Sequence, residues 1–114
     1  MTTVISREQL QSRIASNPAL LILEALPEKY YRDGHLPGAK HMPHDQSRAL
    51  APALAPDRNT EIVVYCASST CRNSHIAAHH LAQMGYANVA VYAGGKQDWT
   101  DAGLPFDQDV ALES

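Results

Sequence analysis

The stretch VVYCASSTCRNSHIAAHHL, Val63–Leu81, determines the fold that we expect for this chain. It overlaps a run of β-branched and aromatic residues, Ile62–Tyr65, which is typical of a strand buried on both faces. A loop of small residues follows. Apolar residues such as Ile76 then recur on one stripe of a predicted helix, Ser74–Met84, which ends before Gly85. The segment therefore predicts a strand, a loop and a helix in immediate succession.

Two more apolar runs of strand length, Leu20–Leu23 and Val89–Tyr92, lie on either side of this segment. Val4–Ile5 and His41–Met42 are candidates for short strands. Buried strands that alternate with helices predict an α/β domain, with an open parallel sheet and helices on both faces. The other predicted helices run from Ser6 (a capping box with Gln9) to Asn17, from Pro27 to Arg32, from Asp45 to Leu54 and from Gln97 to Ala102.

The bulk composition indicates one modest globular domain. The chain has 114 residues, of which 45% are hydrophobic, so we expect a single domain over residues 1–114 with a peripheral tail after about residue 106.

A net charge of −3 excludes a strongly basic nucleic-acid-binding surface. No apolar run approaches the ~20 residues that span a bilayer, so no membrane partner is expected. The N-terminus lacks the apolar core of a signal peptide, which favours the cytoplasm, where thiols stay reduced. The oligomeric state is left open.

The loop after the central strand has the composition of a reactive site. Cys66 stands where the strand ends, and ligands of open α/β sheets bind at that edge. The residues that follow are small and free of carboxylates, so their N–H groups can form a concave anion site. The helix N-terminus and Arg72 add positive charge, which favours the thiolate form of a cysteine. We therefore predict that Cys66 is a catalytic nucleophile. The candidate substrate-binding residues are Ala67, Ser68, Ser69, Thr70, Cys71 and Arg72.

The second cysteine allows two interpretations. A thiol five residues after Cys66 could resolve an oxidised sulfur on that residue into a disulfide, which makes Cys71 a candidate resolving thiol. Alternatively, Cys71 is a small apolar residue packed beneath the helix. The sequence does not decide between them.

Three motifs in their order resemble single-domain rhodaneses, a family of sulfurtransferases. They are GHLPGA at Gly34–Ala39, the YC-loop-helix segment, and YAGGKQDWTDAGLP at Tyr92–Pro105. The resemblance implies a five-stranded, mostly parallel sheet. It also implies that Cys66 takes sulfur from an anionic donor such as thiosulfate and passes it, as a persulfide, to a thiol or cyanide acceptor. No metal or organic cofactor is implied.

The chain departs from that family at two places. Glu24-Ala25-Leu26 replaces the usual aspartate, small residue and arginine at the end of the first long strand. The loop is also long, and Cys66 and Arg72 have the C-x5-R spacing of cysteine phosphatases and arsenate reductases on the same fold. A phosphatase or arsenate reductase is therefore an alternative function. A non-catalytic binding or regulatory module is another.

Several other residues invite functional interpretations that we consider weaker. His75 and His79 share a helix face, but no third ligand follows at a telling spacing, so a solvated surface and no metal site is expected. Arg32 and Lys96 are predicted to be ordinary surface charges. Gly94-Gly95 is expected to permit close packing beside the cysteine loop.

Overall fold

The computed structural model describes residues 3–107 and forms an α/β fold in which strands and helices alternate. The strands are β1 (Thr3–Ile5), β2 (Leu21–Glu24), β3 (Lys40–His41), β4 (Ile62–Tyr65) and β5 (Val89–Tyr92). The helices are α1 (Arg7–Ser16), α2 (Glu28–Asp33), α3 (Ser47–Leu54), α4 (Asn73–Gln83) and α5 (Gly95–Asp101), with a 3-10 turn at His44–Gln46 before α3.

The strands form one five-stranded sheet in the order β1-β5-β4-β2-β3. Every pairing between these strands is parallel. The predicted open parallel sheet is thus confirmed. Because β4 lies between β5 and β2, its carboxyl end opens at the middle of the sheet rather than at an edge.

Alternate residues of the central strands face two separate cores. On one face, Leu23 and Val64 belong to a cluster that includes Leu81 of α4, Ala51 of α3 and Ala55 just after α3. On the other face, Val63 packs in a cluster with Trp99 of α5 and the buried leucine of α1. Both faces are covered by helices, which explains why the central strands read as continuous apolar runs.

The start of α1 agrees with its predicted capping box. Ser6 Oγ accepts a hydrogen bond from the Gln9 amide at 3.1 Å, and the Gln9 side chain accepts one from the Ser6 amide at 2.8 Å. The predicted start of the third helix at Asp45 is wrong. Asp45 lies in the 3-10 turn, and α3 begins at Ser47 with no side-chain cap. The prediction missed this because the 3-10 turn carries the chain into the helix without a capping residue.

The chain segment after α5 returns to the glycine-rich turn before β3. Asp107 pairs with His35 in an antiparallel bridge, with N–H to carbonyl distances of 2.9 and 2.8 Å. The segment that was predicted to be peripheral is therefore in contact with the domain at its first residue, and residues 108–114 lie outside the described range. No helix among residues 3–107 is both long enough and apolar enough to cross a membrane.

Candidate active site

The candidate site is the loop that joins the carboxyl end of β4 to the start of α4. Cys66 directly follows β4, and α4 begins at Asn73. Three of the four residues of β4 have β-branched side chains, and all four are buried. The strand therefore fixes the position of the first residue of the loop. The predicted juxtaposition of a strand end, a small-residue loop and a helix N-terminus is present.

The loop turns tightly on itself. The amide of Cys71 donates to the carbonyl of Ser68 at 3.1 Å, and the hydroxyls of Ser68 and Thr70 lie 3.0 Å apart. Cys66 is only 1% exposed, whereas Ala67 and Arg72 lie at the surface. The loop therefore covers Cys66, its first residue, and leaves later residues such as Arg72 exposed to solvent.

Most main-chain donors of this loop are unused. Among residues 3–107, the amides of residues 67–70 and 72–75 donate no hydrogen bond to another protein group. The amides of residues 73–75 are the first-turn donors of α4. The N-cap residue of this helix, Arg72, makes no capping side-chain bond. Unpaired helix-start donors attract anions, because the helix dipole places partial positive charge there.

The two cysteines are joined to each other. Their sulfur atoms form a disulfide, and their Cα atoms are 6.3 Å apart, within the usual span for such a bridge. The Ser74 hydroxyl oxygen lies 3.5 Å from the Cys66 sulfur. Because a disulfide sulfur carries no hydrogen, the hydroxyl is the donor in this contact. Ser74 is a buried neighbour of the sulfur that the sequence prediction missed, and its position in the first turn of α4 was the available signal.

A groove of about 770 Å³ runs beside the exposed side of the loop. Arg72 lies in it, and among residues 3–107 this guanidinium makes no ion pair. Ile76 is 40% exposed here, so its predicted place on the buried stripe is wrong. Helix α4 instead buries its small residues and Leu81 against the sheet. The groove is lined by Ser69, Thr70, Cys71, Arg72, His75, Ile76 and His79, with no carboxylate.

A buried polar cluster supports the loop from below. Glu24 at the end of β2 is in register with Tyr65, whose hydroxyl donates to Glu24 Oε1 at 2.7 Å. The same hydroxyl accepts the amide of Leu36 at 3.0 Å. Burial, and secondarily the Glu24 charge, raise the pKa of Tyr65 far above its ordinary value. Tyr65, the residue before Cys66, is therefore held as a neutral phenol.

Lys96 supplies the cation that the cluster needs. Its Nζ lies 3.0 Å from Glu24 Oε2, and the exposed fractions of the two side chains are 17% and 0%. Oε2 has no well-aligned hydrogen-bond donor, so the ion pair balances this oxygen. The prediction that Lys96 is an ordinary surface charge is wrong. The altered triplet Glu24-Ala25-Leu26 thus keeps a buried acid but receives its positive partner from α5.

The start of α5 is bonded to the cysteine loop. The amide of Lys96 donates to the Cys66 carbonyl at 3.0 Å, and that of Gln97 to the Ala67 carbonyl at 2.8 Å. Gly95 has φ = 62°, and a Cβ at this position would collide with the carbonyl oxygen of Cys66. The expected role of the glycine pair in close packing beside the loop therefore agrees with the structure at Gly95.

Comparison with known proteins gives a consistent family result. The model of the rhodanese-like domain matches residues 6–102. The chain is 34% identical over 73 residues to the thiosulfate sulfurtransferase PspE of Escherichia coli, covering 64% of this chain and 66% of that protein. It is also 30% identical over 108 residues to the HTH-type transcriptional regulator Rv0324 of Mycobacterium tuberculosis, covering 95% of this chain and 46% of the regulator.

The fold is shared with a solved sulfurtransferase structure. The crystal structure of thiosulfate sulfurtransferase from Pseudomonas aeruginosa superposes with a TM-score of 0.82 at 27% identity, covering 94% of this chain and 20% of that one. The chain spans between 23% and 66% of the length of the curated relatives that it matches. The similarity thus concerns one domain, which in some relatives is part of a larger protein.

Proposed function

This chain belongs to the rhodanese-like domain family, and we propose from that premise that it is a sulfurtransferase that carries sulfur on Cys66. The donor is an anion with a transferable outer sulfur, such as thiosulfate, and the acceptor is a thiol or cyanide. The observation that carries the proposal is the set of unused amides at residues 67–70 and 72–75, in the loop and helix start that directly follow Cys66. Unpaired main-chain donors at a helix start attract an anion and stabilise a thiolate.

The proposed reaction needs no strong acid. The Cys66 thiolate attacks the outer sulfur of thiosulfate, a new S–S bond forms, and sulfite leaves with the electron pair of the bond that breaks. The negative persulfide is then stabilised by the loop amides and by the Ser74 hydroxyl, which lies 3.5 Å from the sulfur. A nucleophilic acceptor takes the outer sulfur and restores the thiolate.

The disulfide sets a condition for this activity. Because Cys66 is paired with Cys71 in the structure, a reductant must first release the thiol. A compartment that keeps thiols reduced, such as the cytoplasm, therefore suits the proposed enzyme.

A phosphatase function receives less support from the same geometry. Hydrolysis of a phosphomonoester needs an acid to protonate the leaving alkoxide. The groove beside the loop has no carboxylate lining, and the nearby Glu24 is held by Tyr65 and Lys96. The second candidate function is a non-catalytic binding or regulatory module, which the similarity to a transcriptional regulator supports.

The test uses reduced protein mixed with thiosulfate and then with cyanide. We expect sulfite release followed by thiocyanate from the native chain, and neither product from Cys66→Ser, because serine cannot form a persulfide. An aryl phosphate assayed in parallel should be hydrolysed by neither protein. Equal sulfite release by the native chain and Cys66→Ser would refute the assignment, and no sulfite from either would favour the binding module.

A further inference from the structure

The two joined sulfur atoms differ in access. Cys66 is 1% exposed, whereas Cys71 is half-buried and lines the 770 Å³ groove. They are already within bonding distance on one short loop, with Cα atoms 6.3 Å apart. A persulfide formed on Cys66 would therefore have a second thiol beside its inner sulfur, inside the protein.

We infer that Cys71 is a resolving thiol that converts the transferred sulfur into hydrosulfide, an additional activity that rests on the function proposed above. The Cys71 thiol attacks the inner sulfur of the Cys66 persulfide. The Cys66–Cys71 bond forms as the bond to the outer sulfur breaks, and hydrosulfide leaves with the electron pair and the thiol proton. The sulfane sulfur is reduced, and the two cysteines are oxidised to the disulfide seen in the structure.

The groove indicates how the disulfide is reduced again. A dithiol reductant attacks Cys71 first, because in the disulfide form Cys71 lines the groove and Cys66 is covered. Attack there forms a mixed disulfide on Cys71 and expels Cys66 as a thiolate. The expelled thiolate is the better leaving group of the two, since its sulfur lies 3.5 Å from the hydroxyl of Ser74 in the first turn of α4. The second thiol of the reductant then frees Cys71.

The lining of the groove suits a thiol reductant with negatively charged groups. Arg72 contributes a guanidinium cation to the lining, and His75 and His79 add imidazole groups without a competing carboxylate. Exposed Ile76 offers apolar contact next to these groups. We therefore assign the groove to a dithiol reductant, and a monothiol probe reports the direction of its attack.

The first experiment follows one turnover without added thiol or cyanide. Reduced protein is desalted under anaerobic conditions and mixed with an equal amount of thiosulfate. Sulfite, hydrosulfide and intact mass are measured for the native chain, Cys71→Ser, Cys71→Ala and Cys66→Ser. We expect about one sulfite and one hydrosulfide per native chain, and a final mass about 2 Da below the reduced protein. Both Cys71 variants should release sulfite, retain a mass gain of about 32 Da and release no hydrosulfide.

The outcomes separate the two proposals. If the native chain releases sulfite but keeps the added sulfur, as the Cys71 variants do, the resolving role is refuted and the sulfurtransferase survives. If neither the native chain nor the Cys71 variants release sulfite, both proposals fail. Circular dichroism shows whether each variant is folded, and either Cys71 variant alone suffices for the comparison.

The second experiment tests the direction of reduction. Oxidised native protein is treated with glutathione as the monothiol probe, and iodoacetamide traps the thiol that is released. Tandem mass spectrometry then locates both modifications. We expect glutathione on Cys71 and the alkyl group on Cys66. The reverse pattern would refute attack from the groove.

Discussion

Arg72 is the residue whose side chain would add a whole positive charge to the proposed anion site. It is exposed, makes no ion pair among the described residues, and occupies the N-cap of α4. A hydrogen bond to a charged group contributes about 1.5–3 kcal/mol. Arg72→Gln should therefore lower kcat/KM for thiosulfate by about 10- to 100-fold, measured by initial rates of sulfite release.

The control for this variant is Arg48→Gln. Arg48 is an exposed arginine on α3 that bonds Gln83 and lies outside the groove lining, so the same loss of charge there should leave kcat/KM within about twofold. Equal losses in the two variants would show that net charge, rather than the position of Arg72, determines donor binding.

At the scale of single residues, local order predicted the placement of the loop better than the groups beneath it. The positions of Cys66 at the strand end and of Arg72 at the helix start follow from local order, whereas their proposed roles stay predictions. Lys96 was misread because its partner, Glu24, is distant in the chain, and nothing in the residues around Lys96 marks an ion pair with a buried acid. Ser74 was missed because a serine at a helix start usually has a structural role.

Gly95 connects α5 to the site. Gly95→Ala would place a Cβ against the Cys66 carbonyl in a left-handed backbone conformation, so the loop must shift. We expect sulfite release to fall by about 100-fold, because a displaced nucleophile loses alignment with its donor. Gly103→Ala is the matched control, since Gly103 also has positive φ (73°) but nothing lies within 4 Å of its added Cβ.

Both glycine variants should lose about 1–2 kcal/mol of stability from the backbone conformation alone. Denaturant unfolding measures that shared loss. If Gly103→Ala loses as much activity as Gly95→Ala, then the close approach to Cys66 has no special role in catalysis.

The ion pair between β2 and α5 provides a second prediction for these elements. Lys96→Met leaves Glu24 buried without its cation and should destabilise the fold by about 3–5 kcal/mol. Glu24→Gln combined with Lys96→Met removes both charges, so most of that loss should be recovered, while Tyr65 keeps an acceptor. Guanidinium unfolding of the single and double variants measures the coupling. Lys29→Met, at an exposed site on α2, should change stability by less than about 0.5 kcal/mol.

If the double variant is no more stable than Lys96→Met alone, the buried charge of Glu24 is not the source of the loss. The interaction of the lysine ammonium with the Tyr30 carbonyl, at 2.6 Å, would then be the better explanation.

Among the elements, strands β4 and β5 were predicted with their observed bounds, because continuous β-branched runs are strong local signals. Helix α4 was located to within one residue at each end, yet its buried face was misjudged. Ile76 fits an apolar stripe by periodicity, but the packed face of α4 is built from small residues that allow the helix to approach the sheet. Periodicity locates a helix in the sequence, but tertiary contacts determine which face of the helix is buried.

Because of two buried tyrosines, we expect the stability of the whole domain to fall at alkaline pH. The pKa of Tyr65 is raised by burial and by the Glu24 charge, and that of Tyr92 by burial and its hydrogen bond to Asp98. Above about pH 10 the unfolded chain loses these phenolic protons while the folded chain retains them. The unfolded state then binds fewer protons, so stability is complete below that pH and falls as the pH rises.

Tyr65→Phe tests this dependence. Between about pH 10 and 11 the free energy of unfolding of the native chain should fall further than that of the variant, by about 1 kcal/mol over that interval. Urea unfolding at a series of pH values gives both slopes, and the lysines shared by the two proteins cancel. Parallel curves would mean that Tyr65 ionises as readily in the folded state as in the unfolded one.

For the molecule as a whole, the alternation of strands and helices was enough to predict a parallel sheet covered on both faces. The order β1-β5-β4-β2-β3 follows from pairings between segments far apart in the chain, such as β1 with β5, so no local pattern encodes it. The disulfide likewise depends on how the loop folds, which the spacing of the two cysteines left open.

The unused donors of the loop belong to the backbone, and this has a consequence for variation within the domain. Main-chain N–H groups persist whichever amino acid other than proline occupies positions 67–70, so those side chains can change while the proposed anion site keeps its donors. If the proposed function holds, natural or laboratory evolution can therefore change which acceptor binds at the loop without removing the main-chain donors.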